Sequence, residues 1–155
     1  MSSWDTPTVW NWRTYEQALS DLEGLPPGER LQALLTEWRD EAELLSIEDM
    51  RKLFVYAWPD GRESVDDDPV HMLRLLRFIA PVRDHETYLS GTLPIFHAGA
   101  DGHGIRWTLD EAAATAEAAG APIFRATVAA SDVLAHFTGD GRNEVLVDWQ
   151  DLSGL

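Results

Sequence analysis

The sequence predicts an α+β protein, with a helical N-terminal lobe over residues 1–90 packed on a small mixed β-sheet unit over residues 91–155. Three observations lead there. Up to Ser90 the apolar residues recur every three or four positions, the repeat of a one-sided helix. Beyond Ser90 the apolar runs shorten and β-branched residues rise, as in strands. With 155 residues, 45% of them hydrophobic, the chain can build one packed core, so the two halves are expected to form a single domain.

In the first half, Thr14 to Leu22 is a short helix that stops at Gly24, with Pro26 and Pro27 beyond it. Arg30 to Leu45 is stronger, because Leu31, Leu34, Leu35, Trp38, Ala42 and Leu45 fall on one face. Ser46 opens a third helix, with Asp49 three residues on as a loose capping box. Its apolar side is Leu53, Phe54, Ala57 and Trp58, and Pro59 with Gly61 ends it. Asp60 to Asp68 reads as an acidic loop. Pro69 suits the first turn of a fourth helix, Val70 to Ile79. Leu34, Leu35, Trp38, Leu53, Phe54, Leu73 and Leu76 are expected to be buried. In the second half, Ile95–Phe96, Ile123 to Val128 and Val145 to Val147 read as strands. Leu109 to Ala119 reads as a helix begun by Thr108, with Glu111 at capping-box spacing. Ser131 to Phe137 reads as one or two helical turns.

Charge narrows the function. Twelve basic residues stand against 27 acidic ones, a formal charge of −15. Such a surface repels phosphate backbones, which argues against DNA or RNA binding and allows a basic protein partner. No apolar run approaches the length that spans a bilayer. The first residues lack a basic region followed by an apolar stretch, so no signal peptide is expected. The absence of cysteine excludes disulfides, thiolate metal sites and cysteine nucleophiles, and fits a cytoplasmic protein.

Two residues carry the first functional candidates. Glu144 opens a strand flanked by valines, whose side chains point into a core. Its carboxylate then faces either solvent or a cleft. In a cleft it would accept a hydrogen bond from a sugar hydroxyl and stabilise positive charge growing on an anomeric carbon. His97 ends the strand begun by Ile95 and Phe96. It is either a cleft residue or a strand-end histidine bonded to a nearby carbonyl.

The ordered segments IFHAG, GIRWT, IFRATV, DVLAHF and NEVLVD, about residues 93–150, resemble a group of small bacterial and phage proteins. Their pattern is a strand ending Tyr-Arg-Gly, a Gly-x-Ser-Trp-Thr segment, a helix, a strand and a terminal Glu-Val-Val-Val-Asp strand. That pattern is similar to the ADP-ribosyltransferase fold. The resemblance implies NAD as substrate, His97, Trp107 and Thr108 as cofactor-binding residues, and Glu144 as the catalytic glutamate. In that superfamily the glutamate holds the nicotinamide-ribose 2′-hydroxyl and steadies an oxocarbenium-like transition state. The sequence departs from the pattern where His97 replaces the commoner Arg, Ala98 the Gly, and Arg106 the Ser. The resemblance also requires His97 and Glu144 to lie on neighbouring strands and face one concavity.

Other readings stand beside this one. In HAGADGHG, His97, Asp101 and His103 are three candidate metal donors without a clear fourth. The glycines would also let a backbone approach a phosphate, although the segment does not follow the strand-to-helix rule of a dinucleotide fingerprint. Its plainest reading is a loop between strands. Of seven tryptophans, Trp4, Trp10 and Trp12 cluster near the N-terminus and either pack on the domain or form a contact patch. The acidic run Glu63 to Asp68 lacks the spacing of a calcium loop and reads as a solvated face.

Two function classes follow. One is an NAD-dependent ADP-ribosyltransferase acting on a protein target. The other is a non-enzymatic acidic binding protein, a phage or mobile-element factor that engages a host protein on a degenerate version of the same fold. An enzyme needs an open cleft that holds His97 and Glu144 together, whereas a binder can have that cleft filled by Trp107 or Arg106.

Overall fold

A computed structural model describes Trp12, residues 14–41, 45–99 and 102–154, with the backbone alone for residues 39–41. Ala42, Trp4, Trp10 and Asp101, singled out from the sequence, lie outside the described residues.

Five helices and six strands are present among these residues. Helix α1 (Tyr15–Glu23) starts at Thr14, whose side chain accepts from the Gln17 N–H. Helix α2 spans Arg30–Glu41. Helix α3 (Ile47–Gly61) is capped by Ser46, which accepts from the Asp49 N–H at 3.0 Å, as the capping pattern predicts. It runs through Pro59 near its C-terminal end, where the missing N–H removes a single helical bond, the one to the Val55 carbonyl. Helix α4 (Pro69–Ile79) begins at Pro69, as expected. Strand β1 (Val82–Arg83) follows, then β2 (Thr92–His97), β3 (Arg106–Thr108), helix α5 (Glu111–Ala118), β4 (Phe124–Ala129), β5 (Ala135–Phe137) and β6 (Glu144–Leu146).

The strands form one mixed sheet in the order β1-β5-β6-β3-β2-β4. Only β1 and β5 pair in parallel; every other pair is antiparallel. Past the outer edge of β4, Thr127 and Ser153 exchange N–H···O=C bonds of 2.8 and 3.0 Å, so the C-terminal segment lies along that edge.

Strands β1 and β3 are absent from the sequence reading, and two of its assignments change. Val133 to Phe137 is not helical. A single 3₁₀ turn, Ala130–Asp132, leads into β5, and all three β5 residues are buried between β1 and β6. Leu134 and Ala135 are good helix formers, but propensity is a weak prior and pairing with the two flanking strands overrides it. Helix α5 is capped by Asp110, not Thr108, because Asp110 Oδ1 accepts from the Ala112 N–H at 3.0 Å.

The larger core joins both halves of the chain. Leu31, Leu34, Leu53, Phe54, Leu75 and Leu76 from the helices meet Val82, Ala135, Phe137 and Leu146 from one face of the sheet. Its centre is an aromatic stack in which Trp58 lies 4.4 Å from Phe137 and Phe54 lies 6.1 Å from both. On the opposite face a smaller core gathers Ile95, Trp107, Ala126, Val128, Val145 and Val147. Of the residues expected to be buried, Leu34, Leu35, Leu53, Phe54, Leu73 and Leu76 are, while Trp38 is half-buried against Phe78 at 6.0 Å.

Trp58 therefore carries more of the stability than Trp38. Trp58→Ala should cost about 3–5 kcal/mol, with Trp38→Ala costing clearly less. Urea denaturation of the two variants measures the difference, and a larger loss at Trp38 would contradict this core.

Candidate functional site

The two faces of the sheet divide the predicted site. Directly paired residues share a face, and successive residues alternate. Phe96 pairs with Thr108, and Thr108 with Glu144, so these three stand in a row on one face. Arg106, two residues before Thr108, joins them. His97 and Trp107 point to the other face, where their rings stack at 5.0 Å. Strands β2 and β6 are not neighbours, because β3 lies between them. The side chains of His97 and Glu144 therefore leave the sheet on opposite faces, against expectation, although both residues are among those that line the cavity beside α5. Thr108 and Glu144 are brought together, and His97 and Trp107 are brought together elsewhere.

On its own face His97 is held as a structural residue. Its Nδ1 lies 2.9 Å from the Arg106 carbonyl, which can only accept, so Nδ1 carries the proton. The backbones of Gly99 and Gly104 enclose the ring. A Cβ on Gly99 would come within 2.4 Å of Nε2, and one on Gly104 within 2.4 Å of Cε1. Trp107 Nε1 donates to the Gly104 carbonyl at 2.8 Å and closes the loop over the imidazole. The glycines of HAGADGHG thus make room for a histidine ring. His103 lies against Trp149 at 5.8 Å.

The other face holds an ion-pair cluster. Glu144 is 4% exposed and Arg62 is 8% exposed. The Arg62 guanidinium grips both carboxylate oxygens: Nε donates to Oε1 at 2.9 Å, and Nη2 donates to Oε2. Arg106 Nη1 donates to Oε2 from the other side at 3.0 Å. Arg106 also holds the two oxygens of Glu117 on α5, at 3.1 and 3.2 Å. The exposed Glu63 also lies 3.9 Å from Arg62, so two guanidinium groups meet three carboxylates.

The local chain fixes each member. Arg62 opens the turn Arg62–Ser64 after α3, where Ser64 Oγ donates to the Gly61 carbonyl and Gln32 Nε2 to the Ser64 carbonyl. Asp66 Oδ1 accepts from the Ile105 N–H at 2.7 Å, which ties this acidic turn to the start of β3. Thr108 Oγ1 donates to the Asn143 carbonyl and accepts from the Asp110 N–H, so its hydroxyl is used in joining β3 to α5 and β6.

Burial alone would raise the pKa of Glu144. The hydrogen bonds and charge of Arg62, with those of Arg106, outweigh it and hold the carboxyl below its ordinary range. Burial likewise works against the charge of Arg106, yet Glu117 and Glu144 keep its pKa raised. Glu144 is thus a fixed anion without a proton to give.

Beside the cluster lies a cavity of about 300 Å³ between the sheet and α5. Phe96 and Thr108 line it from the sheet, Ala113, Ala116 and Glu117 from α5, and Arg142 and Asn143 from the loop before β6. His97, Trp107 and Glu144 also line it, and the rings of the first two stack on one another. The space follows from the sequence of α5, Glu-Ala-Ala-Ala-Thr-Ala-Glu-Ala, whose methyl groups are too short to fill the gap. Among the described residues Arg142 has no ion pair, and no group of three or more His, Asp or Glu could hold a metal. No described helix is long and apolar enough to cross a membrane.

Sequence reasoning did not single out Arg62 or Glu117. Arg62 stands between Gly61 and Glu63 without periodicity, and only the fold brings it to a residue 82 positions away. Comparison with known proteins finds no matching family model, curated protein or solved structure.

Two outcomes are expected. Glu144→Gln should destabilise the protein at neutral pH by about 3–5 kcal/mol, because it strips a buried arginine of its main counter-charge. Because the folded pKa of Glu144 is lowered, the stabilisation is complete above about pH 4.3 and is lost as pH falls through the folded value. Denaturation curves between pH 2 and 7 (about the carboxylate range) should therefore slope less for the variant; an unchanged slope would refute the coupling. Gly104→Ala should cost about 1–3 kcal/mol by overpacking. Adding His97→Ala should recover most of that loss, and no recovery would place the clash elsewhere.

Proposed function

We propose that this protein acts by binding and not by group transfer, on an α+β scaffold that resembles the ADP-ribosyltransferases. It takes a small polar molecule in the cavity beneath α5. Its acidic surface suits a basic protein as macromolecular partner. The observation that carries the reading is the occupation of Glu144. Both oxygens are hydrogen-bonded to arginines, whose two guanidinium groups face its charge. A glutamate that steadies an oxocarbenium-like centre needs a free lone pair for the ribose hydroxyl and an uncompensated negative charge. Here three of the carboxylate's roughly four lone-pair sites accept from arginines, which leaves one on Oε1, and the two guanidinium groups compensate its charge.

The fit to NAD fails on the same ground. Of the residues that the resemblance assigns to it, His97 and Trp107 turn to the other face, and the Thr108 hydroxyl already has two partners. We therefore derive no step through NAD. The cavity itself remains suited to binding. At about 300 Å³ it has the size of small-molecule sites, with apolar Phe96 and alanine walls and polar groups in Asn143, Arg142 and Glu117.

The experiment has two arms. Wild type incubated with labelled NAD and a lysate should release no nicotinamide above a blank and label no protein, and Glu144→Gln should match it. Turnover in wild type that Glu144→Gln abolishes would overturn the reading in favour of the transferase. In the second arm, small polar molecules are screened by thermal shift. A ligand at 100 times its Kd adds about 2.7 kcal/mol to stability. Hits should be lost in Ala113→Phe, which fills the cavity; hits that persist there bind elsewhere and count against the cavity as the site.

A further inference from the structure

We infer that α5 is a lid: the helix lifts off the sheet on its own and so governs entry to the cavity beneath it. The inference rests on the cavity being a binding site, as proposed above, but its physical basis is separate. Of the eight residues of α5, only Ala114 is buried. A single alanine is a small apolar anchor for a helix of this length, and eight residues are too few for a helix to persist alone in water. Something other than core packing keeps it in place.

That role falls to a pair of charge clasps, one near each end. At the N-terminal end Glu111 pairs with Arg125 on β4, through Nε at 2.9 Å and through Nη2. Near the C-terminal end Glu117 pairs with Arg106 on β3. The first pair is well exposed, with side chains 62% and 48% accessible, and in the second Glu117 is 45% accessible. An exposed pair such as the first is weak and screened by salt, whereas Arg106 of the second is 19% accessible and Arg62 also lies 3.9 Å from Glu117, so the outer clasp is the one that releases first. The chain leaves α5 through Ala119 and Gly120, both at positive φ, and enters it at the Asp110 cap. The helix is thus joined to the sheet by one releasable outer contact, one contact to the ionic cluster near its C-terminal end and one small side chain. The strands beneath it carry Ile95, Trp107, Ala126 and Val145 into a core on their far face. Opening α5 does not disturb that core, so the helix can move while the sheet stays closed.

Amide hydrogen exchange of the full chain tests this. Peptides covering residues 111–118 should exchange at least about tenfold faster than those covering β4, because α5 opens by a local step and β4 by global unfolding. Glu111→Gln breaks the outer clasp without touching the buried cluster. It should speed exchange in α5 by about two- to fivefold and leave β4 unchanged. Salt at about 1 M, where the screening length falls to about 3 Å, should act in the same direction on wild type. The lid is excluded if α5 is as protected as β4, or if neither the variant nor salt changes its exchange. A failed ligand screen would leave these rates untouched, so the lid and the binding site stand or fall separately.

Discussion

The buried contact between Arg62 and Glu144 is the constraint on which the site depends. It joins the end of the helical half to the central strand of the sheet, with both groups almost removed from water. A charge in that position is tolerable only when its partner is held in register, so the turn after α3 and the start of β6 must meet in one arrangement. The bonds from Gln32 to Ser64 and from Ile105 to Asp66 fix the turn on both sides. Arg106 extends the contact to Glu117, so the position of α5 is set by the same cluster.

The cluster also decides what the cleft does. A carboxylate that accepts from two guanidinium groups is a structural anion. Its charge organises the protein around it. The neighbouring cavity owes its existence to a different property, the shortness of alanine. One face of the sheet therefore combines a rigid ionic floor with a loosely attached roof, a division suited to selecting a ligand by shape.

Much of the scaffold was legible in the sequence. The apolar stripes of α2, α3 and α4 are regular enough to give the helices and most of their buried residues. Ser46 and Pro69 announce the ends where they stand. Strands β2, β4 and β6 show as β-branched runs. β5 did not, because Leu134 and Ala135 have no strand preference of their own and acquire one only between β1 and β6. The site was harder to read. Whether His97 shares a face with Glu144 depends on the register of Phe96 against Thr108, and a shift of one residue reverses every side chain. Local composition does not encode that register. Arg62 was invisible for a related reason: its partner is chosen by topology, not by spacing along the chain. Arg106, noted as a departure from the family pattern, proved to be the residue that occupies Glu144 from the second side.

The short pairing of Thr127 with Ser153 has a meaning for the protein in a crowded solution. β4 is a six-residue outer strand, long enough to recruit a strand from another molecule. The C-terminal segment occupies part of its free hydrogen-bonding edge and denies it to neighbours. At the other margin, β1 is only two residues long and offers little template. The β4 edge is thus guarded at contact distance by the segment around Ser153, while the negative charge acts on neighbours at long range.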